Sequence, residues 1–314
     1  MRLVFMGTPP FAVPSLEALL NERHEVVTVY TQPDRPAGRG QEVQVSAVKR
    51  AALRAGLPVR QPRSLRPAEE ASALADLKPD AIVVAAFGLL LPQAVLDIPR
   101  LGCANVHPSL LPRYRGPSPI VAPILAGDSE TGVTIMLLDA GMDTGPVLVQ
   151  AREHVHPTDT AATLGARLAQ VGARLLVEVL PRLAAGEIKP VPQDNAQASY
   201  TQRLKKEDGD LDFAQSAAVL ERRVRAYQPW PGAYTWWRGK QLNVLEASAA
   251  PSNTSEAPGL VVAGDGKAHP AVVTGAGLLQ LLRVQLEGGK PLRADEFLRG
   301  HRDFLGSRLL ERSA

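Results

Sequence analysis

Seven consecutive apolar residues, Ala81-Ile82-Val83-Val84-Ala85-Ala86-Phe87, constrain this chain more than any other segment. The run sits between Pro79-Asp80 and Gly88 and offers no polar face, so both its sides must be covered. Strands buried on both faces are a feature of parallel sheets sheathed by helices. The neighbouring sequence agrees. Leu3 to Met6 is a short buried-strand pattern that breaks at Gly7, Glu25 to Tyr30 is β-branched, and Cys103 to Val106 precedes a proline-rich loop. Phe11 to Leu20, Ser46 to Ala55 and Ala68 to Leu77 carry helical spacing between them. This alternation predicts an α/β fold with an open, mostly parallel, Rossmann-like sheet and helices on both faces.

A second texture begins after the long helical stretch from Thr160 to Ala185, which Gly186 closes. Lys189 to Lys206 contains Pro190, Pro192, Asn195 and Ser199 with little periodicity and reads as a linker. Beyond it Ser216 to Tyr227 is helical. Trp236 to Ala247, Leu260 to Val262, Ala271 to Thr274 and Leu278 to Leu286 read as short strands, a pattern that predicts a small carboxy-terminal β-barrel of OB-like type. The expected division is a domain over 1–186, a linker over 187–206 and a second domain over 207–314, in keeping with a length of 314 residues.

The single cysteine, Cys103, rules out an internal disulfide framework or a cysteine-rich zinc site. No window approaches 18 uninterrupted apolar residues and the amino terminus lacks a signal-peptide core, so a cytoplasmic protein without a membrane span is expected. The formal net charge of +3 says little, but its distribution says more. Between Thr31 and Arg66 eight basic residues face two acids, a stretch suited either to a phosphate-rich partner or to a solvated surface.

Ligands in open α/β sheets bind outside the carboxyl ends of the strands. Asn105 and His107 stand there, two apart in extended backbone, and so point to the same side. After the strand Val133 to Leu138, the loop Asp139-Ala140-Gly141-Met142-Asp143-Thr144-Gly145 can return a carboxylate to the same crevice. Acyl transfer to an amine needs a donor for a developing oxyanion, a group that moves a proton, and a group that orients it or orders a water. Asn, His and Asp supply these, although a strand-end histidine taken by spacing alone is more often structural.

Met6-Gly7-Thr8-Pro9, Thr31 to Gly40 (TQPDRPAGRG), Asn105-Val106-His107 through Gly116, Asp143-Thr144-Gly145 and Arg225 to Ala233 (RAYQPWPGA) resemble the methionyl-tRNA formyltransferases, a branch of the folate-dependent formyltransferases. The resemblance spans nearly the whole chain. It implies formyl transfer from 10-formyltetrahydrofolate to the amino group of initiator methionyl-tRNA by a monomer that needs no metal, with Asn105, His107 and Asp143 as the catalytic trio. It further implies a folate site at Ser109, Leu110, Leu111 and Pro112, with Phe87 and Gly88 beside the pterin, and tRNA contacts from Arg35 and Arg39. Departures from the family pattern are Pro108 after the histidine, Phe87 before Gly88, Pro10 and Tyr114; none falls on the trio. The alternatives are an amino-sugar nucleotide or other small amine as acceptor, a formyl-folate hydrolase, or a nucleic-acid-binding module that has lost its activity.

Other candidates have plainer readings. Cys103 reads as a small buried strand residue rather than a nucleophile. His154 and His156 could share a strand face as metal ligands, but no third ligand accompanies them and a surface pair is the better reading. The glycines at 7, 38 and 40 do not have the dinucleotide-binding offsets. Trp230, Trp236 and Trp237 read as packing residues, with base stacking as the alternative.

Overall fold

The computed structural model describes residues 1–37, 42–264 and 269–309. Nine strands occupy the first part of the chain among the described residues: β1 (Arg2–Gly7), β2 (Glu25–Tyr30), β3 (Arg35–Ala37), β4 (Glu42–Gln44), β5 (Val59–Arg60), β6 (Ala81–Ala85), β7 (Cys103–His107), β8 (Glu130–Leu137) and β9 (Val147–His154). Seven of them form one sheet in the order β5-β2-β1-β6-β7-β8-β9. Pairing is parallel from β5 to β7, and β8 and β9 then join antiparallel at one edge. The sheet is thus mixed but mostly parallel. Every residue of β6 and β7 is buried, as the two-sided apolar run requires.

Chain order places the site. From β1 the sheet grows to one side through β2 and to the other through β6, so the connections diverge between β1 and β6. A crevice opens outside the carboxyl ends of strands at such a reversal. Gly7, the segment after β6 and the end of β7 all reach that edge.

Helices α1 (Val13–Asn21), α2 (Ala47–Arg54), α3 (Ala68–Ala75) and α4 (Gln93–Leu96) connect the strands. Ser46 caps α2 by accepting the Lys49 amide, which satisfies one of the donors a helix start leaves open. Further on come α5 (Val121–Ala126), the long α6 (Ala161–Ala184), α7 (Ala217–Ala226) and α8 (Ala294–Gly300).

The carboxy-terminal sheet is a curled antiparallel half-barrel of β10 (Ala233–Trp237), β11 (Lys240–Ala250), β12 (Val261–Ala263), β13 (Pro270–Val273), β14 (Leu278–Leu286) and β15 (Leu292–Arg293). Its core gathers Leu211, Phe213, Leu220, Leu242, Leu281 and Phe297. One expected strand, Trp236 to Ala247, is a hairpin instead. Arg238 and Gly239 both have positive φ, 51° and 71°, the backbone of a tight hairpin turn, and β10 pairs back on β11. The Trp237-Arg238-Gly239-Lys240 turn follows directly on the aromatic residues Tyr234, Trp236 and Trp237, which draw the eye into one continuous strand.

The chain separates into two compact units, one of Met1–Pro119, Glu130–His154 and Gly165–Gln202, the other of Ile120–Ser129, Val155–Leu164 and the chain from Arg203. Two short excursions therefore group with the second unit although their sequence lies within the first. Within the second unit α5 packs on α7, and Arg222 Nε donates to the Leu125 carbonyl at 3.1 Å. Of the 187–206 stretch read as a linker, residues up to Gln202 group with the first unit: Val191 bonds to Val147 of β9, and Ser199 and Thr201 bond to Pro112 and Arg115 in the loop after β7.

Candidate active site

Asn105 and His107 end β7 on the same side of the strand, 8% and 4% exposed. The Asn105 amide makes no hydrogen bond to another described residue, so its N–H donors are available to a ligand. His107 is fixed from two directions. Its Nε2 lies 3.1 Å from the Tyr114 carbonyl, and its Nδ1 lies 3.8 Å from Asp143 Oδ1. A carbonyl only accepts, so Nε2 carries the hydrogen and Nδ1 of the neutral ring holds a bare lone pair. The separation from Asp143 exceeds a hydrogen bond and leaves that lone pair open to a proton donor.

Burial holds the His107 pKa below its ordinary value, while the Asp143 carboxylate and the Tyr114 carbonyl pull the other way. Desolvation disfavours the charged imidazolium more than these two favour it, so the ring is neutral near pH 7.

Asp143 sits at φ 53°, a left-handed conformation that aspartate tolerates better than most residues. Its Oδ2 accepts the Gly116 amide at 2.7 Å and its carbonyl accepts Gln193 Nε2 at 2.8 Å. Asp139 shapes the rest of the loop by accepting the Gly141 amide and the Thr144 hydroxyl. A Cβ at Gly145 would lie 1.9 Å from the Leu137 carbonyl, so the loop closes onto β8 only through glycine.

Below His107 the chain turns through Ser109, Leu110, Leu111 and Pro112. Ser109 Oγ donates to the Arg113 carbonyl, and Thr134 on β8 donates to the Ser109 carbonyl while accepting the Leu111 amide. Gln150 on β9 donates to the Leu111 carbonyl, so a segment without regular structure is held rigid by the sheet beside it. Gly88 has φ 81° at the end of β6, and a Cβ there would meet Gln32 Nε2. The ring of Phe87 packs in the sheet core with Tyr30, Leu65 and Val95, so it supports the β6 end from inside the core. Its carbonyl accepts from Thr8 Oγ1 and Gln32 Nε2.

Of the residues assigned to nucleic acid, Arg35 lies exposed on the β3–β4 hairpin and Arg39 lies outside the described residues. The root of that hairpin is braced. Lys49 Nζ contacts Asp34 Oδ2 and Gln61 Oε1, and Gln61 Nε2 donates to Asp34 Oδ1 at 2.8 Å. Lys49, and then Gln61, hold the Asp34 carboxyl below the usual range. Lys49 therefore counts as internally compensated rather than as part of the basic surface.

Burial pushes the Cys103 thiol up to about 12, which leaves no thiolate to act as a nucleophile. Among the described residues no group of three or more His, Cys, Asp or Glu side chains is placed to hold a metal ion. Nor is any helix among them long and apolar enough to cross a membrane. Trp237 is a core residue in edge contact with Phe297 and Phe304, whereas Trp230 is 54% exposed. Sequence reasoning missed Arg115, Gln193, Ser199 and Thr134; Arg115 and Gln193 meet across 78 residues, and no local pattern marks such a pair.

Residues 1–180 match the family model described as formyl transferase, and residues 203–302 match that of the formyl transferase C-terminal domain. The chain belongs to the formyl transferase family. Methionyl-tRNA formyltransferase of Chloroflexus aurantiacus is 50% identical over 300 residues, covering 96% of this chain and 97% of that protein. The methionyl-tRNA formyltransferase of Thiobacillus denitrificans is also 50% identical, covering 98% and 99%. Among solved structures, HypX from Aquifex aeolicus in complex with tetrahydrofolic acid is similar with a TM-score of 0.64 at 21% identity, over 97% of this chain and 47% of that one. An N-formyltransferase from Helicobacter canadensis, in complex with folinic acid and dTDP-3-aminofucose, has a TM-score of 0.65 at 19% identity, over 89% and 97%. At these identities the two structures speak for the fold of this formyl transferase alone.

Proposed function

We propose that the chain moves the formyl group of 10-formyltetrahydrofolate onto the free amino group of initiator methionyl-tRNA. The observation that carries this reading is the buried strand-end pair Asn105 and His107, with His107 Nδ1 3.8 Å from the Asp143 carboxylate. The choice of acceptor is supported by the relatives, which are alike over both halves of the chain. In this reading 1–186 is the formyl-transferring domain and 207–314 helps hold tRNA, in a cytoplasmic monomer. The small-amine alternative has only distant likenesses in its favour.

The amine nitrogen attacks the formyl carbon, and the carbonyl oxygen takes up negative charge that the Asn105 N–H meets. Nδ1 of His107 accepts the proton the amine sheds, and Asp143 steadies the resulting imidazolium. That proton passes to the departing N10 of the folate as its bond to the formyl carbon breaks, so the protons balance and His107 returns neutral. Folate itself would lie against the rigid turn Ser109 to Pro112 and the Phe87-Gly88 corner, a preformed wall of the kind small ligands need. Arg35 and Arg39 would meet tRNA phosphates.

The test is transfer of labelled formyl groups to charged initiator tRNA, elongator methionyl-tRNA and free methionine. Strong preference for the first supports the reading. Equal transfer to all three, or faster transfer to an amino sugar, rejects it.

A further inference from the structure

Arg115 follows the carbonyl that fixes His107, and its side chain is 1% exposed. Nε and Nη2 donate to Gln193 Oε1 at 3.0 and 2.7 Å, Nη2 also to Asn195 Oδ1 at 2.9 Å, and Nη1 to the Tyr200 hydroxyl at 3.3 Å. Every one of these acceptors is neutral. A buried charge without a counter-ion is costly, and an apolar side chain of similar volume would fill the space at less cost. The guanidinium does something an apolar side chain cannot: it decides which way Gln193 faces. Since a guanidinium only donates, the oxygen of the Gln193 amide is turned towards it and the nitrogen away. Nε2 then donates to the carbonyls of Asp143 and Gly145, at 2.8 and 2.7 Å. The residue after Arg115 completes the grip, because the Gly116 amide binds Asp143 Oδ2.

We infer that Arg115 and Gln193 are positioning residues that lock the left-handed backbone of Asp143 and so aim its carboxylate at His107. This deepens the formyl-transfer reading of the same site and rests on it. Among the described residues the Asp143 carboxylate and the Tyr114 carbonyl contact the His107 ring, and Thr134 stands at its register on β8. Asp143 is the only charge among the three, so its placement controls how readily the imidazole takes a proton.

Gln193→Glu separates this role from a merely structural one. It keeps an acceptor for Arg115, now as an ion pair, but replaces two donors to the Asp143 loop with an oxygen that faces two carbonyls. The variant should melt below the parent, since two carbonyls lose their donor, but stay folded and bind a folate analogue equally well. Its kcat for formyl transfer should fall about 10²-fold with KM unchanged, as a small misplacement near the chemistry does. By NMR the His107 titration is read in Arg115→Lys, which keeps the charge but loses the fixed fork of donors, because the carboxylate of Gln193→Glu would itself favour the imidazolium. In Arg115→Lys His107 should titrate at lower pH than in the parent, in the direction set by Asp143→Asn. Parent-like kcat in Gln193→Glu, or parent-like His107 titration in Arg115→Lys, overturns the inference. The titration needs no substrate. If the parent enzyme leaves methionyl-tRNA unformylated, the acceptor assignment falls while the titration still decides the clamp.

Discussion

The loops around His107 and the carboxy-terminal half-barrel are built on opposite principles. The first is a polar lattice in which Asp143, Ser109, Arg115, Gln193 and Thr134 hold irregular backbone by hydrogen bonds. The second is an apolar core in which Leu242, Leu281, Val284 and Phe297 are fully or almost fully buried between strands and helices. Hydrogen-bonded networks fix direction, and directed contacts are what chemistry needs. Apolar packing has no direction, so it contributes stability and tolerates changes that keep volume. Mutations in the lattice should therefore be felt mainly in rate, and mutations in the core mainly in stability.

The largest test of that contrast is His107→Ala or Asn105→Ala. Each should slow formyl transfer by about 10²–10³-fold, as loss of an oxyanion donor or proton acceptor does. Melting temperature and folate binding should stay near the parent values. Near-normal turnover in a folded His107→Ala protein would remove the histidine from the mechanism.

Leu281→Ala is the mirror image. It empties part of the half-barrel core and should cost about 2–5 kcal/mol of stability, read by denaturant titration. The NMR titration of His107 should not move. A shift there would mean that the two regions are not energetically separate.

A third test uses pH. In the proposed reaction both His107 and the attacking amine start neutral, so the His107 midpoint is read by NMR rather than from kcat/KM, whose acid limb also carries the titration of the amine. Burial places that midpoint below the ordinary 6.5. Asp143 favours the imidazolium, so Asp143→Asn should move the His107 midpoint to still lower pH and reduce kcat by about 10-fold or more, within the range for a general acid–base partner. A His107 NMR midpoint at or above 6.5 in the parent enzyme would contradict the assigned burial of the charge.

Smaller effects belong to the residues assigned to tRNA. Arg39→Ala should raise the KM for tRNA or lower kcat with it and leave folate binding intact, and tRNA binding should weaken with added salt as phosphates regain counterions. Unchanged rate and unchanged initiator-over-elongator preference would move acceptor recognition elsewhere. The least effect is expected from Gly239→Ala in the β10–β11 turn. At φ 71° a Cβ is strained, so about 1 kcal/mol of stability should be lost with no change in rate.

Much of the fold is readable from residues near one another in the chain. The two-sided apolar run made β6 evident, and the strand-end spacing put Asn105 and His107 on one side. Other features resisted. β9 alternates half-buried and exposed residues at the sheet edge, where polar residues such as Arg152 and Glu153 mask a strand. The hairpin at Arg238-Gly239 is masked by the aromatic residues just before it. The stretch from Lys189 to Lys206 looks like a tether because its function lies in single side chains, with no periodicity to betray them.

By itself the sequence determined the elements and the two residues that end β7, because strand and helix periods, turns and caps are set by neighbours a few positions apart. Only the tertiary structure decided the state of the site. Asp143 reaches His107 from 36 positions away, Gln193 reaches Asp143 from 50, and the burial that keeps the imidazole neutral comes from the whole surrounding sheet. These are contacts between segments that chain order does not bring together, and a pKa depends on what surrounds a group in space rather than on what precedes it in the chain.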